Sequence, residues 1–297
     1  MLGKLMKYEW KSTVKIVSII LLVVAGATLI GIVGMVFPMR YIMTWEKATS
    51  VDDVGTNIRI VLMTMTVAVA FFICVFSMVG VNYALYGYLS VRFYKTMYTD
   101  EGYLTHTLPI RTGEILRGKT IVAVAWAVIL NLCVALATGV LIGMAAMTFN
   151  DVLASVGLTN LSELARAWTK LKEDLVSQGL VAHAVHFFLA AVITVLVTPF
   201  GTLLTIFGGL SIGQLSRKHK LLLGILTTVG LFFLHSVLSQ ILRVMFTFTA
   251  MMARKPTDAA ALTYIGTLDA GILTSLIMGG LMYFVTYQIL SKKLNLE

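Results

Sequence analysis

The sequence predicts an all-α integral membrane protein with six transmembrane helices, both termini in the cytoplasm, and further amphipathic helices at the membrane surface. Hydrophobic residues make up 58% of the chain and charged residues only 12%, and the apolar residues fall into six long runs. A helix of about 20 apolar residues crosses a hydrocarbon core about 30 Å thick. Because these runs are continuous rather than alternating, they favour helices over the strands of a membrane barrel.

The whole chain, residues 1–297, is predicted to form a single transmembrane domain. Its spans are expected near residues 16–37, 60–88, 121–149, 181–211, 221–242 and 270–290.

Residues 1–15 are predicted to form an interfacial helix at the inner face of the membrane. Apolar side chains surrounded by lysines recur near one helical face: Leu2, Leu5, Met6, Trp10 and Val14. This pattern is typical of a helix lying in the interface, although the segment could instead be the basic flank of the first span. A cleaved signal peptide also begins with lysines, but the apolar run here continues to Phe37, so the first span is expected to remain.

The distribution of charge predicts the orientation. With the N-terminus inside, the inner segments carry 14 of the 23 lysines and arginines and 5 of the 14 acidic residues, whereas the outer segments carry 9 of each. The whole net charge of +9 then lies on the inner side, as the positive-inside rule requires. This basic charge faces anionic lipid, so a nucleic-acid partner is not expected.

Ionisable and metal-binding side chains are scarce inside the predicted spans. No carboxylate lies deep in a span, and Asp269 comes closest, which argues against coupling to protons or sodium ions. His183 and His186 share a helix face, but no third metal ligand is identifiable, so we expect hydrogen-bonded interface histidines and no metal. Cys74 and Cys133 are expected to be buried structural thiols.

The segment GEILRGKT fits the phosphate-binding pattern G-x-x-x-x-G-K-[ST], with the fixed positions at Gly113, Gly118, Lys119 and Thr120. A working phosphate loop is a glycine-rich turn between a strand and a helix. Here no strand precedes the pattern, and it runs directly into the third span, so these residues indicate the first turn of a helix with Thr112 as the N-cap. We interpret the match as accidental and expect the chain to have no catalytic residue and to bind no cofactor itself.

The longest inner segment, residues 91–120, mixes apolar and charged side chains and is expected to lie along the inner surface. An ordinary solvated loop is the alternative. Within it, FYKTMYTDEGYLTHTLPIRTGEILRGK resembles the connection between spans two and three in the membrane subunits of bacterial type-2 ATP-binding-cassette (ABC) export systems. In those subunits a phrase like DEGYL and then TLP precedes the helix that leads into span three.

The resemblance implies a multi-pass permease subunit of the bacterial cell membrane that pairs with a second permease subunit and with a separate ABC ATPase subunit. That partner would hold ATP and Mg²⁺ and drive export of an amphipathic or hydrophobic compound such as a peptide, an antibiotic or a lipid-like molecule. The residues expected to contact the ATPase are Tyr98, Asp100, Glu101, Gly102, Tyr103, Leu104, Leu108 and Pro109. A secondary transporter and a non-transporting sensor or assembly protein are the alternatives.

Three further patterns concern packing. Residues 150–180 are predicted to contain an extracellular amphipathic helix, because leucines and Trp168 recur there at helical spacing. Pro199 is expected to bend the fourth span. Small residues four apart predict close helix approach, within the chain or at a dimer seam; they are Ala135, Gly139 and Gly143 in the third span and Gly271, Ser275 and Gly279 in the sixth.

Overall fold

The computed structural model describes residues 2–46, 54–99, 101–102, 110–155, 181–216, 218–252 and 256–292, together with six positions between 156 and 180. It contains six long helices: α1 (Leu2–Glu46), α2 (Val54–Tyr98), α3 (Thr112–Ser155), α4 (Val181–Gly213), α5 (Lys220–Met251) and α6 (Pro256–Lys292). No strand occurs among these described residues. Each helix contains a stretch long and apolar enough to cross a membrane, which confirms the predicted all-α membrane fold.

The helices extend well beyond the apolar runs that predicted them. The segment 1–15 does not form a separate helix, because α1 continues from Leu2 through the first span without a break. Residues 1–37 contain no proline, so nothing removes a backbone hydrogen bond where the basic segment meets the apolar run. The second helix also extends beyond its predicted span, because α2 ends at Tyr98. Phe93 and Met97 lie one turn apart on the buried face of α2.

By its contacts the chain divides into two compact units. The first comprises Met1–Lys15, Leu85–Ile129 and Val176–Glu297, and the second comprises Ile16–Ala84 and Leu130–Leu175.

In the second unit, small side chains bring helices together. The Cys74 thiol is buried and donates to the carbonyl oxygen of Ala27 at 3.1 Å. A methyl group added at Gly34 would lie 2.6 Å from the Cβ atom of Ala70, so α1 and α2 are in direct contact there. Cys133 is also a free thiol and is half-buried. Cys74 is therefore buried as the sequence predicts, whereas the prediction of a buried thiol is wrong for Cys133.

In the first unit, α4 packs against α5 and α6, and α5 packs against α6. A methyl group added at Gly201 would lie 2.7 Å from the Cα atom of Ser275, and one at Gly279 would lie 2.6 Å from the ring of Phe200. Two of the three small residues predicted in the sixth span therefore serve packing within the chain. Among the residues that the structure describes, none has an atom within 4 Å of such a methyl position at Gly271, or at Gly139 or Gly143 in α3.

Two other packing predictions have a partial outcome. Pro199 is buried inside α4, which continues through it as one helix. Between 156 and 180 the described positions are helical and exposed: Arg166, Thr169, Lys170, Glu173, Val176 and Ser177. The leucines and Trp168 that predicted an amphipathic helix there lie outside the described residues.

Candidate functional site

The most polar buried part of the first unit lies where α1 begins, α2 ends and α3 begins. Glu9 of α1 accepts two hydrogen bonds at Oε2 from Arg92 of α2, from Nη2 at 2.8 Å and from Nε at 3.3 Å. Its other oxygen, Oε1, accepts from Nζ of Lys119 on α3. Lys119 Nζ also donates to Thr96 Oγ1 at 2.9 Å. We call these four residues the Glu9 cluster.

The Glu9 cluster is shielded from water and contains one negative charge and two positive charges. The side chain of Lys119 is 7% exposed, that of Glu9 13% and that of Arg92 21%. One carboxylate therefore balances two cations at low local dielectric, where charge pairing is far stronger than in water. Removing the carboxylate would break both ion pairs at once, that of the buried Lys119 and that of the half-buried Arg92, and loss of one partner is the most destabilising way to break such a group.

Aromatic contacts secure the same helix ends. The rings of Trp10 and Trp126 stack with centroids 4.0 Å apart, and Trp126 Nε1 donates to the buried Oγ1 of Thr13 at 2.8 Å. These contacts bind the start of α1 to α3. The rings of Phe93 and Phe207 stack at 3.9 Å, and that contact binds the end of α2 to α4.

A small cavity of about 20 Å³ lies beside the Glu9 cluster, and this volume has room for one water molecule. Its wall consists of Glu9, Thr13, Leu89, Arg92, Phe93, Thr96, Lys119, Val122, Ala123 and Phe207. Since carboxylate, guanidinium and hydroxyl groups all face it, a water there would find several hydrogen-bonding partners.

The residues of the phosphate-binding pattern form ordinary helix. Gly113, Gly118, Lys119 and Thr120 all lie in α3, as the sequence predicts. A methyl group at Gly118 would lie 2.9 Å from a methyl group of Leu5, so this glycine serves helix packing. Lys119 is committed to the Glu9 cluster, and Thr120 Oγ1 is buried with no hydrogen-bond partner among the described residues.

The predicted N-cap of α3 is wrong by one residue. The carbonyl oxygen of Arg111 accepts from the N–H groups of Glu114 at 2.8 Å and Ile115 at 3.3 Å, so Arg111 occupies the N-cap position. Thr112 is already the first helical residue. The helix therefore begins one residue before the predicted start, because the backbone carbonyl oxygen of Arg111 accepts its first hydrogen bonds.

Three of the eight predicted ATPase contacts are described. Tyr98 is turned inward: its hydroxyl lies 2.6 Å from Ser211 Oγ, which itself donates to the carbonyl oxygen of Phe207. Tyr98 is therefore the donor to Ser211, and this bond fixes the end of α2 to α4. Glu101 is exposed.

Gly102 closes a turn directly after α2. Its N–H donates to the carbonyl oxygen of Thr99 at 2.7 Å, and a methyl group on it would lie 2.6 Å from the carbonyl carbon of Met97. Glycine is the residue that fits such a close approach of backbone to backbone. The remaining predicted contacts lie outside the described residues, namely Asp100, Tyr103, Leu104, Leu108 and Pro109.

A second ionisable pair joins α4 to α6. His186 Nε2 lies 3.3 Å from Asp269 Oδ2, with the two side chains 54% and 27% exposed. The predicted role of His186 as an interface histidine agrees with this contact, and its partner is the carboxylate that comes closest to a predicted span. No group of three or more metal-ligating side chains occurs in the part of the chain that is described.

Sequence reasoning missed the Glu9 cluster and the aromatic stack beside it. Glu9 is the only acidic residue among the first 15, where it interrupts a lysine-rich face. That isolated carboxylate was the available signal, because it needed a basic partner from elsewhere in the chain.

The chain matches no protein-family model, no curated protein and no solved structure.

Proposed function

We propose that this chain is the membrane subunit of a bacterial ATP-driven exporter, with the inner connection of residues 91–120 as its contact with a separate ABC ATPase subunit. One observation carries the proposal: within residues 91–120, the end of α2 and the start of α3 are fixed to each other and to α1 by the Glu9 cluster. An ATPase that pushes on a loop moves the membrane helices only if the loop is rigidly mounted. The ion pairs, the Trp10–Trp126 stack and the Tyr98–Ser211 bond supply that mounting.

The helices on either side are suited to carrying the displacement. α2 has 45 residues and α3 has 44, and both continue from the connection into the membrane. A continuous helix transmits an axial or tilting movement along its length because every turn is hydrogen-bonded to the next. Movement delivered between Tyr98 and Thr112 would thus be passed to the parts of α2 and α3 that lie in the first unit.

In this proposal the separate ATPase subunit, and not this chain, binds and hydrolyses ATP. Lys119, the residue that would bind phosphate in a true phosphate loop, is buried in an ion pair, and its neighbours are helical. ATP and Mg²⁺ would therefore be held by the ATPase, and a second permease subunit would complete the transport path. The exported compound would be amphipathic or hydrophobic, in keeping with the family that the connection resembles.

A secondary transporter is the competing proposal, and the His186–Asp269 pair is the observation that favours it. Ionisable pairs on membrane helices occur in proton relays. The two proposals separate in proteoliposomes, where a pH gradient alone would drive the rival and ATP with an ATPase subunit would drive the exporter.

Site-specific crosslinking tests the proposal. Glu101→Cys places a thiol on the exposed turn after α2, and Lys218→Cys places a matched one on the exposed turn between α4 and α5. We expect the cysteine at 101, and not the one at 218, to crosslink to a protein that mass spectrometry identifies as an ABC ATPase. An ATPase adduct at position 218 alone, or none at either position in a functional membrane, would contradict the proposal.

A further inference from the structure

Three polar residues follow one another along a single face of α5. His235, Ser239 and Arg243 are each four residues apart, so their side chains lie one above the other. We call these three residues the α5 stripe. Ser239 is buried, and His235 and Arg243 are half-buried, so the stripe lies on the side of α5 that packs against the other helices of its unit.

The stripe holds two polar atoms that the protein leaves unsatisfied. Arg243 Nε and His235 Nδ1 are both buried with no hydrogen-bond partner among the described residues. Arg243 donates from Nη2 to Ser239 Oγ at 3.4 Å, which is a long bond for a guanidinium. An arginine side chain has five N–H donors in a fixed fork, and the described residues accept a hydrogen bond from only one of them.

Asp269, an acidic residue of the neighbouring helix α6, does not pair with Arg243. Gly266 of α6 lies against Phe246 of α5, where an added methyl group would be 2.6 Å from the Phe246 Cβ atom. Arg243 precedes Phe246 by three residues, and Asp269 follows Gly266 by three. Arg243 and Asp269 therefore lie at similar positions along the two helix axes. Asp269 pairs with His186, however, and within the described ranges it forms no ion pair with Arg243.

The surroundings of the stripe are hydrocarbon-like. Arg243 lies 23 residues from Lys220 at the start of α5, about 35 Å along the helix axis, so it lies toward the far end of the span. Val244, next in sequence to Arg243, is 68% exposed, and Val237 and Ile241, on the face of α5 opposite the stripe, are 40% and 53% exposed. A cation beside such an apolar surface is costly unless an anion accompanies it.

From these contacts we infer that the α5 stripe binds an anionic group, a carboxylate or a phosphate, carried on an apolar body. The guanidinium fork matches the oxygens of either group in a bidentate pair. Ser239 Oγ accepts a hydrogen bond from Arg243 Nη2 and holds the fork in place from one side. The apolar body of the ligand would lie beside Arg243, against the exposed side chain of Val244. The ligand is either a membrane lipid with an anionic headgroup or a free acidic amphiphile, and the site requires no ATPase subunit.

Binding to the purified full-length chain in a nonionic detergent tests this inference. Two matched pairs of probes are used: N-dodecanoylglycine with its uncharged methyl ester, and phosphatidylglycerol with phosphatidylcholine of the same acyl chains. We expect at least one anionic probe to bind about tenfold or more tightly than its partner, as a charge-assisted hydrogen bond would provide. Preference for phosphatidylglycerol alone identifies a lipid site, and preference for N-dodecanoylglycine alone identifies a site for free amphiphiles.

Variants and a spectroscopic signal locate the binding. Arg243→Gln should abolish the preference, Arg243→Lys should keep only part of it, and Lys218→Gln, which removes an exposed cation at the other end of α5, should leave it unchanged. In the wild-type chain, the ¹⁵N resonance of Arg243 Nε should shift when the preferred probe is added, which keeps the test valid if a variant fails to fold. Equal binding of both members of each pair, an undiminished preference in Arg243→Gln, or an unshifted Nε resonance would overturn the inference.

Discussion

Glu9→Gln should destabilise the first unit more than any other single charge removal at the helix ends around the inner connection. The substitution keeps the size of the side chain but removes the charge that balances Arg92 and Lys119. Breaking a buried ion pair by removing one partner typically costs about 3–5 kcal/mol. Lys119 is almost fully buried, but Arg92 is 21% exposed and glutamine retains one oxygen acceptor, so we expect about 3 kcal/mol, the lower end of that range.

The assay is equilibrium unfolding in mixed micelles, followed by the fluorescence of the stacked pair Trp10 and Trp126. Glu114→Gln is the control, because Glu114 is an acidic residue in the first turn of α3, the helix that carries Lys119, and no ion pair of the Glu9 cluster involves it. It should lose less than about 1 kcal/mol, the usual value for a charge at a helix terminus. The double variant Glu9→Gln with Lys119→Met should recover part of the loss, because it also removes one of the unbalanced charges.

If Glu9→Gln is no less stable than Glu114→Gln, the Glu9 carboxylate does not stabilise the first unit as described. If the loss of unfolding free energy in the double variant equals the sum of the losses in the two single variants, Glu9 and Lys119 do not interact.

Three further predictions concern packing and orientation. Gly201→Ala should destabilise the α4–α6 contact by about 1–3 kcal/mol in the same unfolding assay. Gly271→Ala is the control, because the described residues leave open space at its methyl position, and it should be neutral or slightly stabilising. Equal effects of the two variants would contradict the packing described. Tyr98→Phe should cost about 1–3 kcal/mol, because it leaves Ser211 without its donor, and a loss below about 0.5 kcal/mol would show that the bond does not hold the end of α2. Cysteines placed at Ser177 and Thr99 should react with a membrane-impermeant reagent in intact cells only at position 177, and the reverse labelling would invert the predicted topology.

Hydropathy predicted the six helices well because each span consists of continuous apolar sequence. It could not predict that α2 continues to Tyr98, since residues 89–98 mix apolar side chains with polar ones and with the charges of Arg92 and Lys95, and hydropathy falls there. Helical spacing was the better guide at that end, because Phe93 and Met97 are buried one turn apart.

The Glu9 cluster could not be predicted from local sequence. Glu9 is separated from Arg92 by 83 residues and from Lys119 by 110, so only the packing of three helices brings these charges together. Small-residue spacing had a similar limit. The same four-residue repeat occurs in α3 and α6, yet Ser275 and Gly279 meet α4 closely whereas Gly139 and Gly143 have open space. Spacing shows that a close approach is possible, and only the tertiary structure identifies the neighbour.

The central claim, that a separate ATPase drives this chain through its inner connection, is tested most directly by ATP hydrolysis of the co-purified complex in lipid nanodiscs. Leu104 is an apolar residue of the connection, and Lys218 is an exposed cation on the turn between α4 and α5. Truncating a buried interface anchor typically costs about 2 kcal/mol or more, whereas truncating an exposed rim charge costs little. We predict that Leu104→Ala inserts normally but loses the ATPase subunit or its stimulated hydrolysis, while Lys218→Ala retains both. Normal coupling in Leu104→Ala together with its loss in Lys218→Ala would contradict the account.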